Sequence, residues 1–589
     1  MPDKQPKPLK SGTEKSETEK SGTEKSGTEK QRQKSRDRKV CIKSVWLVGL
    51  QRKRSRIWIA LDWIRKRQEM AEKLDVIGGK LEKTAEGILL FICICVLGVL
   101  ALYSAKYTMV ENAGIPSDMR DNGWINFLIL AVVTTVAALL HRTSRSGRFS
   151  FVNRRIRAWQ PYIIGIASVL VYLISAVWVS NCHVEPCGDS GVLCSVAGQM
   201  MAGNYSAMEG AGSYMAVFPH QFSLLSVIQF VFTLFGEWNY RVFQHINAFC
   251  MPLLFYSGYK FLQFICDDLE TVIYYILFFL GCAPLFLYVP FVYGEIISIT
   301  FTMVLMWQTA RYCKTGKKIC LLWGTMAIVL ACMVRKNSLI VLIAVGIVMV
   351  IHSMKKADLR GVVWILVMIL AVSGSDRLVH LYYEKVSGVE VADGAPFISW
   401  VRMGLQDTWA GPGWFDNSSV EAFAEHGYNA EQTALAERSF LAEILNDMWE
   451  DKAGSTDFFR RKILSQWNSP GYNNYYVTEN FDCGPEELPA FVRRIYYDDA
   501  EAVLGYMDRY QFVLYFYAAV SAVALFADKK KRHCLAERLL YIAIIGGFLF
   551  SAMWEANSRY VLPYVVYMIP LAALGIGRLI KGIGQVQFF

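Results

Sequence analysis

The chain has 589 residues, 54% of them hydrophobic and 19% charged, with a formal net charge of +10 and a mean hydropathy of +0.27. Apolar runs of roughly 15–25 residues recur from Gly87 onward, which excludes a water-soluble globular fold and predicts an all-α polytopic membrane protein. Lys and Arg gather in particular inter-helix loops, so the positive charge reports topology and no nucleic-acid partner is expected.

Residues 1–86 differ from the rest. The polar, short-period SGTEKSETEKSGTEKSGTEK predicts a disordered cytoplasmic tail. The later stretch QRKRSRIWIALDWIRKRQEM interleaves basic residues with Trp58, Ile59, Leu61 and Trp63. It reads either as an amphipathic helix on the lipids of an anionic inner leaflet or as a plain cytosolic retention charge. No cleavable signal peptide is expected, because the first apolar run lies too deep in the chain.

About twelve transmembrane helices are expected, near 87–105, 124–140, 160–180, 243–264, 270–291, 296–310, 319–334, 338–352, 361–376, 509–527, 538–553 and 561–580. The basic tail places the N-terminus in the cytoplasm, and HRTSRSGRFSFVNRRIR is then an inner loop. Residues 87–159 thus hold two additional N-terminal helices, and 160–375 a transmembrane core whose first outer loop is 181–242. A long outer segment follows at 376–508, and the C-terminal helices lie in 509–589. His220 to Gly236 decides the parity. If it crossed, RYCKTGKK, MKKADLR and DKKKRHC would all face outside, so an interfacial or re-entrant helix is predicted there.

Five stretches that hold candidate functional residues then share the outer face. In the first outer loop Asp189 is the preferred carboxylate for base chemistry toward a hydroxyl; a solvated loop Asp or a helix cap is the competing reading. His220 and Gln221 follow Pro219 and suit a phosphate or sugar hydroxyl, or simply a helix start. In PFVYGEI, Glu295 is expected to face a cavity, where it positions an acceptor, holds a divalent metal ion or pairs with Arg559. Arg335, Lys336 and Asn337 form a turn that places two cations on the outer side against the charge trend, which suits an anion.

In MWEANSRYVLPY, Glu555 and Arg559 are spaced for an i,i+4 helical pair, with Tyr560 beside them. A guanidinium there suits a lipid-linked phosphate; an Arg snorkelling to head groups is the alternative. Trp400, Trp409 and Trp414 suit either sugar platforms or loop packing. Cys182, Cys187, Cys194 and Cys483 fall outside, where a Cys182–Cys187 or Cys182–Cys194 bridge is permitted.

These residues together resemble the GT-C superfamily of integral membrane glycosyltransferases, in particular bacterial relatives of the protein mannosyltransferase and aminoarabinose transferase families. Asp189 looks like the family's early outer-loop aspartate, taken as catalytic base. YMAVFPHQFSLLSVIQFVFTLFG is similar to its Tyr/Pro segment leading into an interfacial helix, and Glu295 to its acidic residue at the second outer turn. Arg335–Asn337 resembles an Arg-x-Asn turn, and Glu555, Arg559 and Tyr560 with Pro563 a late Arg-Tyr…Pro element.

The resemblance spans about residues 160–580 and departs in two places: Phe-Pro-His stands where Lys-Pro-Pro is usual, and a glutamate where aspartate is common. It implies a GT-C-like bundle with outer interfacial helices, a polyprenyl-phosphate sugar as donor, a bacterial plasma membrane and an active site facing outside. It further implies inverting transfer to a lipid, glycan or protein acceptor. A lipid-linked sugar flippase or a polysaccharide polymerase or ligase fits the same spans.

Overall fold

The computed structural model describes residues 62, 65, 66, 84–145, 150–356, 358–528 and 534–586. The chain divides into residues 1–76 and residues 77–589. In the first part Lys66 and Asp62 form an exposed i,i+4 ion pair at 3.0 Å; the expected tail and membrane-surface helix otherwise lie outside the described residues. The remaining description concerns the second part.

Among the described residues, eight helices are long and apolar enough to cross a membrane. Three come first: α1 (Thr84–Lys106), α2 (Ile125–Arg145) and α3 (Ser150–Cys182). The loop after α3 folds into α4 (Gly188–Met201), a short 3₁₀ turn at Pro219–Gln221 and α5 (Phe222–Phe235). At 1.5 Å per residue the 14 residues of α5 rise about 21 Å, well short of a hydrocarbon core of about 30 Å.

Four of the expected spans are occupied by α6 (Tyr240–Leu262), α7 (Leu269–Gly281), α8 (Glu295–Thr315) and α9 (Ile319–Val334). None of these four is among the eight. Two are short, at 13 and 16 residues, and the other two carry polar side chains that fasten neighbouring backbone. Gln244 of α6 donates to the carbonyls of Val184 and Pro290, and Asn247 to those of Val289 and Phe291. The turn 288–294 is thereby held rigid, with its buried carbonyls satisfied.

The remaining long apolar helices are α10 (Leu339–Lys356), α11 (Arg360–Ser387), α15 (Ala500–Ala527), α16 (Leu535–Met553) and α17 (Leu562–Val586). Between α11 and α15 the long connecting segment forms its own helical layer, with α12 (Phe397–Gly404), α13 (Ala430–Glu450) and α14 (Lys452–Trp467). A buried ion pair, Arg402 Nε to Glu437 Oε2 at 2.6 Å, joins α12 to α13. Lys462, fully buried on α14, donates to the carbonyls of Gly404, Ala552 and Trp554, which ties this layer to the end of α16.

α17 is the axis of the bundle: 89% of its apolar window is buried, and it packs on α15, α7, α16 and α2. Small residues allow this. A Cβ on Gly575 would lie 1.8 Å from the Tyr517 carbonyl oxygen, so only glycine lets α17 and α15 approach so closely.

Among the described residues the fold is helical apart from two small sheets: a two-residue strand pair, Asp407–Thr408 with Gly411–Pro412, and a longer hairpin that the apolar pattern did not announce. Between α1 and α2 the chain makes a hairpin, β1 (Tyr107–Asn112) and β2 (Ile115–Asp121), with a bulge at Val110/Glu111. Its two-residue turn holds Ala113 and Gly114 at φ 49° and 80°, the left-handed pair such turns require. Asn468 fixes the hairpin to this helical layer, its carbonyl accepting from Met109 N at 3.0 Å and its amide donating to Tyr107 O at 2.8 Å.

Candidate functional site

Tyr293, beside the helix start at Glu295, is the centre of the constellation. Its hydroxyl donates to Asp189 Oδ2 at 3.1 Å and accepts from the Gln221 side chain. Tyr214 donates to the other oxygen of Asp189 at 3.3 Å. Asp189 lies in the first turn of α4, exposed, with both oxygens turned toward phenols.

The Tyr293 ring carries two cations. The guanidinium carbons of Arg335 and Arg559 stand 5.1 and 5.0 Å from its centroid, and 5.5 and 5.6 Å from that of Tyr560. Both guanidiniums also face one carboxylate. Arg335 Nη2 is 3.4 Å and Arg559 Nε 3.6 Å from Oε1 of Glu295, which is 3% exposed. These are ion-pair distances without hydrogen-bond geometry, and Arg559 Nε has no hydrogen-bond partner. Two fixed positive charges therefore share one negative one, which suits a further anion.

Glu295, Arg335, Asn337, Arg559 and Tyr560 line one narrow cleft, with Tyr564 and Tyr567 also in its wall. Glu555 receives the Tyr560 hydroxyl at 3.3 Å, and burial pushes its acid up to about 7. His220 is exposed next to Gln221. Lys336 points elsewhere, forming an ion pair with Asp376 of α11, which also accepts from Ser223 at 2.8 Å.

Of the residues expected from sequence, the structure thus links Asp189, Gln221, Glu295, Arg335, Asn337, Glu555, Arg559 and Tyr560 through shared neighbours. Lys336 is held apart. The helical pairing expected of Glu555 with Arg559 does not form, because α16 ends at Met553 and Trp554 is extended. The Ala556 N–H instead donates to Gly413 O at 2.7 Å, and Asn557 Oδ1 accepts from Arg559 N at 2.9 Å. A 3₁₀ turn at Ser558–Val561 then aims Arg559 at Glu295.

Tyr214 and Tyr293 had escaped notice. Tyr293 sits two residues before Glu295 and carried a readable signal; Tyr214 was one aromatic among many.

A place for a metal ion exists away from this cleft. His183, Asp482 and Cys483 bring three ligand atoms within 4.8 Å of one another, a set that suits a borderline-soft divalent ion. Glu295 is a poor alternative, since two guanidiniums already repel a second cation there. Arg241 also pairs with Asp482 at 2.6 Å. The thirteen described cysteines are all free thiols, so the permitted bridges of Cys182 are not made. Of the three candidate platform tryptophans, Trp414 is core at 2% exposed and donates to Ser465, Trp400 stacks on Phe415 and Trp554, and only Trp409 is open.

No protein-family model matches the chain, and neither does any curated protein or any solved structure.

Proposed function

We propose that this multi-pass membrane protein is a GT-C-type glycosyltransferase, moving a sugar from a polyprenyl-phosphate donor to an acceptor outside a bacterial plasma membrane. The observation that carries the reading is the pair of guanidiniums, Arg335 and Arg559, fixed on the two aromatic rings of Tyr293 and Tyr560 with a single carboxylate between them. In this reading α6 to α9 complete a twelve-helix bundle, and the site faces outward.

The chemistry is a single inverting displacement. The acceptor oxygen attacks the anomeric carbon, its proton passes to Asp189, and the bond from that carbon to the phosphate oxygen breaks with its electron pair leaving on the polyprenyl phosphate. Arg335 and Arg559 stabilise that developing charge, and Glu295 is a positioning residue that holds both forks at rest. Tyr214 and Tyr293 orient the Asp189 carboxylate.

The test is transfer of labelled sugar from polyprenyl-phosphate donors in membranes containing the protein. Asp189→Asn is expected to abolish turnover while donor binding persists. Full turnover by that variant rejects the base, and sugar translocation without transfer favours a flippase.

A further inference from the structure

Glu111 has no part in the displacement above, yet it is bound into the same wall of the protein. It lies on β1 at the edge of a second cleft, of about 180 Å³, between the hairpin turn and residues 469–479. Its carboxylate accepts from the hydroxyl of Ser558, the residue before Arg559, with Ser469 and the Asn473 backbone also bonded to it. Burial pushes its acid up to about 7.

Two buried amides beside it each keep one polar end unused. Asn473, 4% exposed, donates to Asn557 Oδ1 at 3.4 Å, but its own Oδ1 has no partner. Asn474, fully buried, accepts from Thr478 at 3.1 Å, but its Nδ2 has no partner. Both residues line the cleft, and its wall thus holds one unused acceptor and one unused donor. At the rim Tyr476 leaves 48% of its surface open, its ring lying against Gly114, where a Cβ would come within 2.7 Å.

This set has a definite chemical preference. A sugar hydroxyl donates and accepts at once, which a carboxylate and two half-used amides satisfy together. An exposed aromatic face covers the apolar side of a pyranose ring. Among the described residues the lining holds two carboxylates, Glu111 and Glu479, and no basic side chain, so phosphate and uronate are disfavoured.

We propose that this cleft binds a saccharide without acidic groups, with Glu111, Asn473 and Asn474 taking its hydroxyls and Tyr476 stacking on a ring. Asn557 and Ser558 separate it from Arg559, so under the transferase reading this saccharide is the acceptor glycan. The name acceptor rests on that reading; the binding does not.

The experiment uses the full chain in nanodiscs and saturation-transfer NMR with neutral tetrasaccharides of glucose, mannose and N-acetylglucosamine, and with a tetragalacturonate. At least one neutral tetrasaccharide is expected to saturate. Its Kd should rise about tenfold or more in Asn474→Ala and in Tyr476→Ala, recover in Tyr476→Phe, and stay unchanged in Arg559→Ala. Tyr476 is open to solvent, so its pair of variants decides the matter even if Asn474→Ala folds poorly.

Absence of neutral-sugar binding, binding that survives both alanine variants, or preference for tetragalacturonate overturns the proposal. Sugar binding without affinity for polyprenyl phosphate keeps this site and removes the donor assignment. Polyprenyl-phosphate binding without sugar binding does the reverse.

Discussion

Replacing Arg559 by Ala removes one of the two guanidiniums that face Glu295 across the cleft. A charge-assisted bond to a phosphate oxygen contributes about 1.5–3 kcal/mol. At about 1.4 kcal/mol per decade, polyprenyl phosphate should bind roughly 10- to 150-fold more weakly. The fold should tolerate the change, because Glu295 keeps Arg335 at 3.4 Å. The loss is therefore smaller than the ~3–5 kcal/mol of stripping a buried carboxylate of its only partner.

Arg559→Lys keeps the charge but gives up the planar fork and its stacking on Phe291, Tyr293 and Tyr560, so it should fall between wild type and Ala. The assay is equilibrium binding of a fluorescent polyprenyl phosphate to detergent-purified protein, with the matching polyprenol as the uncharged control. Only the phosphate should lose affinity. Equal losses for both lipids, or an unchanged Kd for the phosphate, refute the reasoning.

Asp189→Asn should lower kcat by about 10²- to 10⁴-fold with donor Kd unchanged, as single-turnover transfer would show. Glu555 and Glu111 are both raised to about 7 from an ordinary 4.5, so between those values the folded chain holds more protons than the unfolded one. Their stabilisation is complete below about 4.5 and is lost as pH rises through 7; the melting temperature should decline across that window, and less so in the Glu111→Gln, Glu555→Gln double variant. Gly575→Ala should destabilise the bundle strongly, since its Cβ meets backbone at 1.8 Å, whereas Gly577→Ala, 3.1 Å from the Thr271 hydroxyl, should cost little; thermal melts in detergent compare them. Lys462→Met leaves three carbonyls without their donor and should cost about 2–4 kcal/mol, read as a lowered melting temperature.

Much of the membrane architecture was legible because a bilayer imposes length and apolarity on each crossing, and α1, α2, α3 and α15 to α17 announce both. The helices α6 and α8 lie where two spans were expected, but their polar residues serve the interior, which a hydropathy window cannot distinguish from exposure. The site was legible in part for the same reason: Glu295 and Arg559 are costly at a membrane boundary unless they meet. What they meet was not legible. Tyr293 matters through the direction of one hydroxyl and one ring face, and Asn557 through a cap that breaks the expected helix. The hairpin was invisible because YTMVENAGIPSDMRD lacks strict alternation and the usual Asn-Gly turn.

The two leading helices look dispensable on paper, since the resemblance to known transferases begins only near residue 160. Their contacts say otherwise. Asp508 of α15, 1% exposed, receives Thr108 at 2.5 Å and Asn126 at 3.0 Å, and Ser558 is bonded to Glu111. Trimming the chain to its recognisable part would strand a buried carboxylate and free the residue that precedes Arg559. The N-terminal extension is thus part of the foundation on which the proposed site rests.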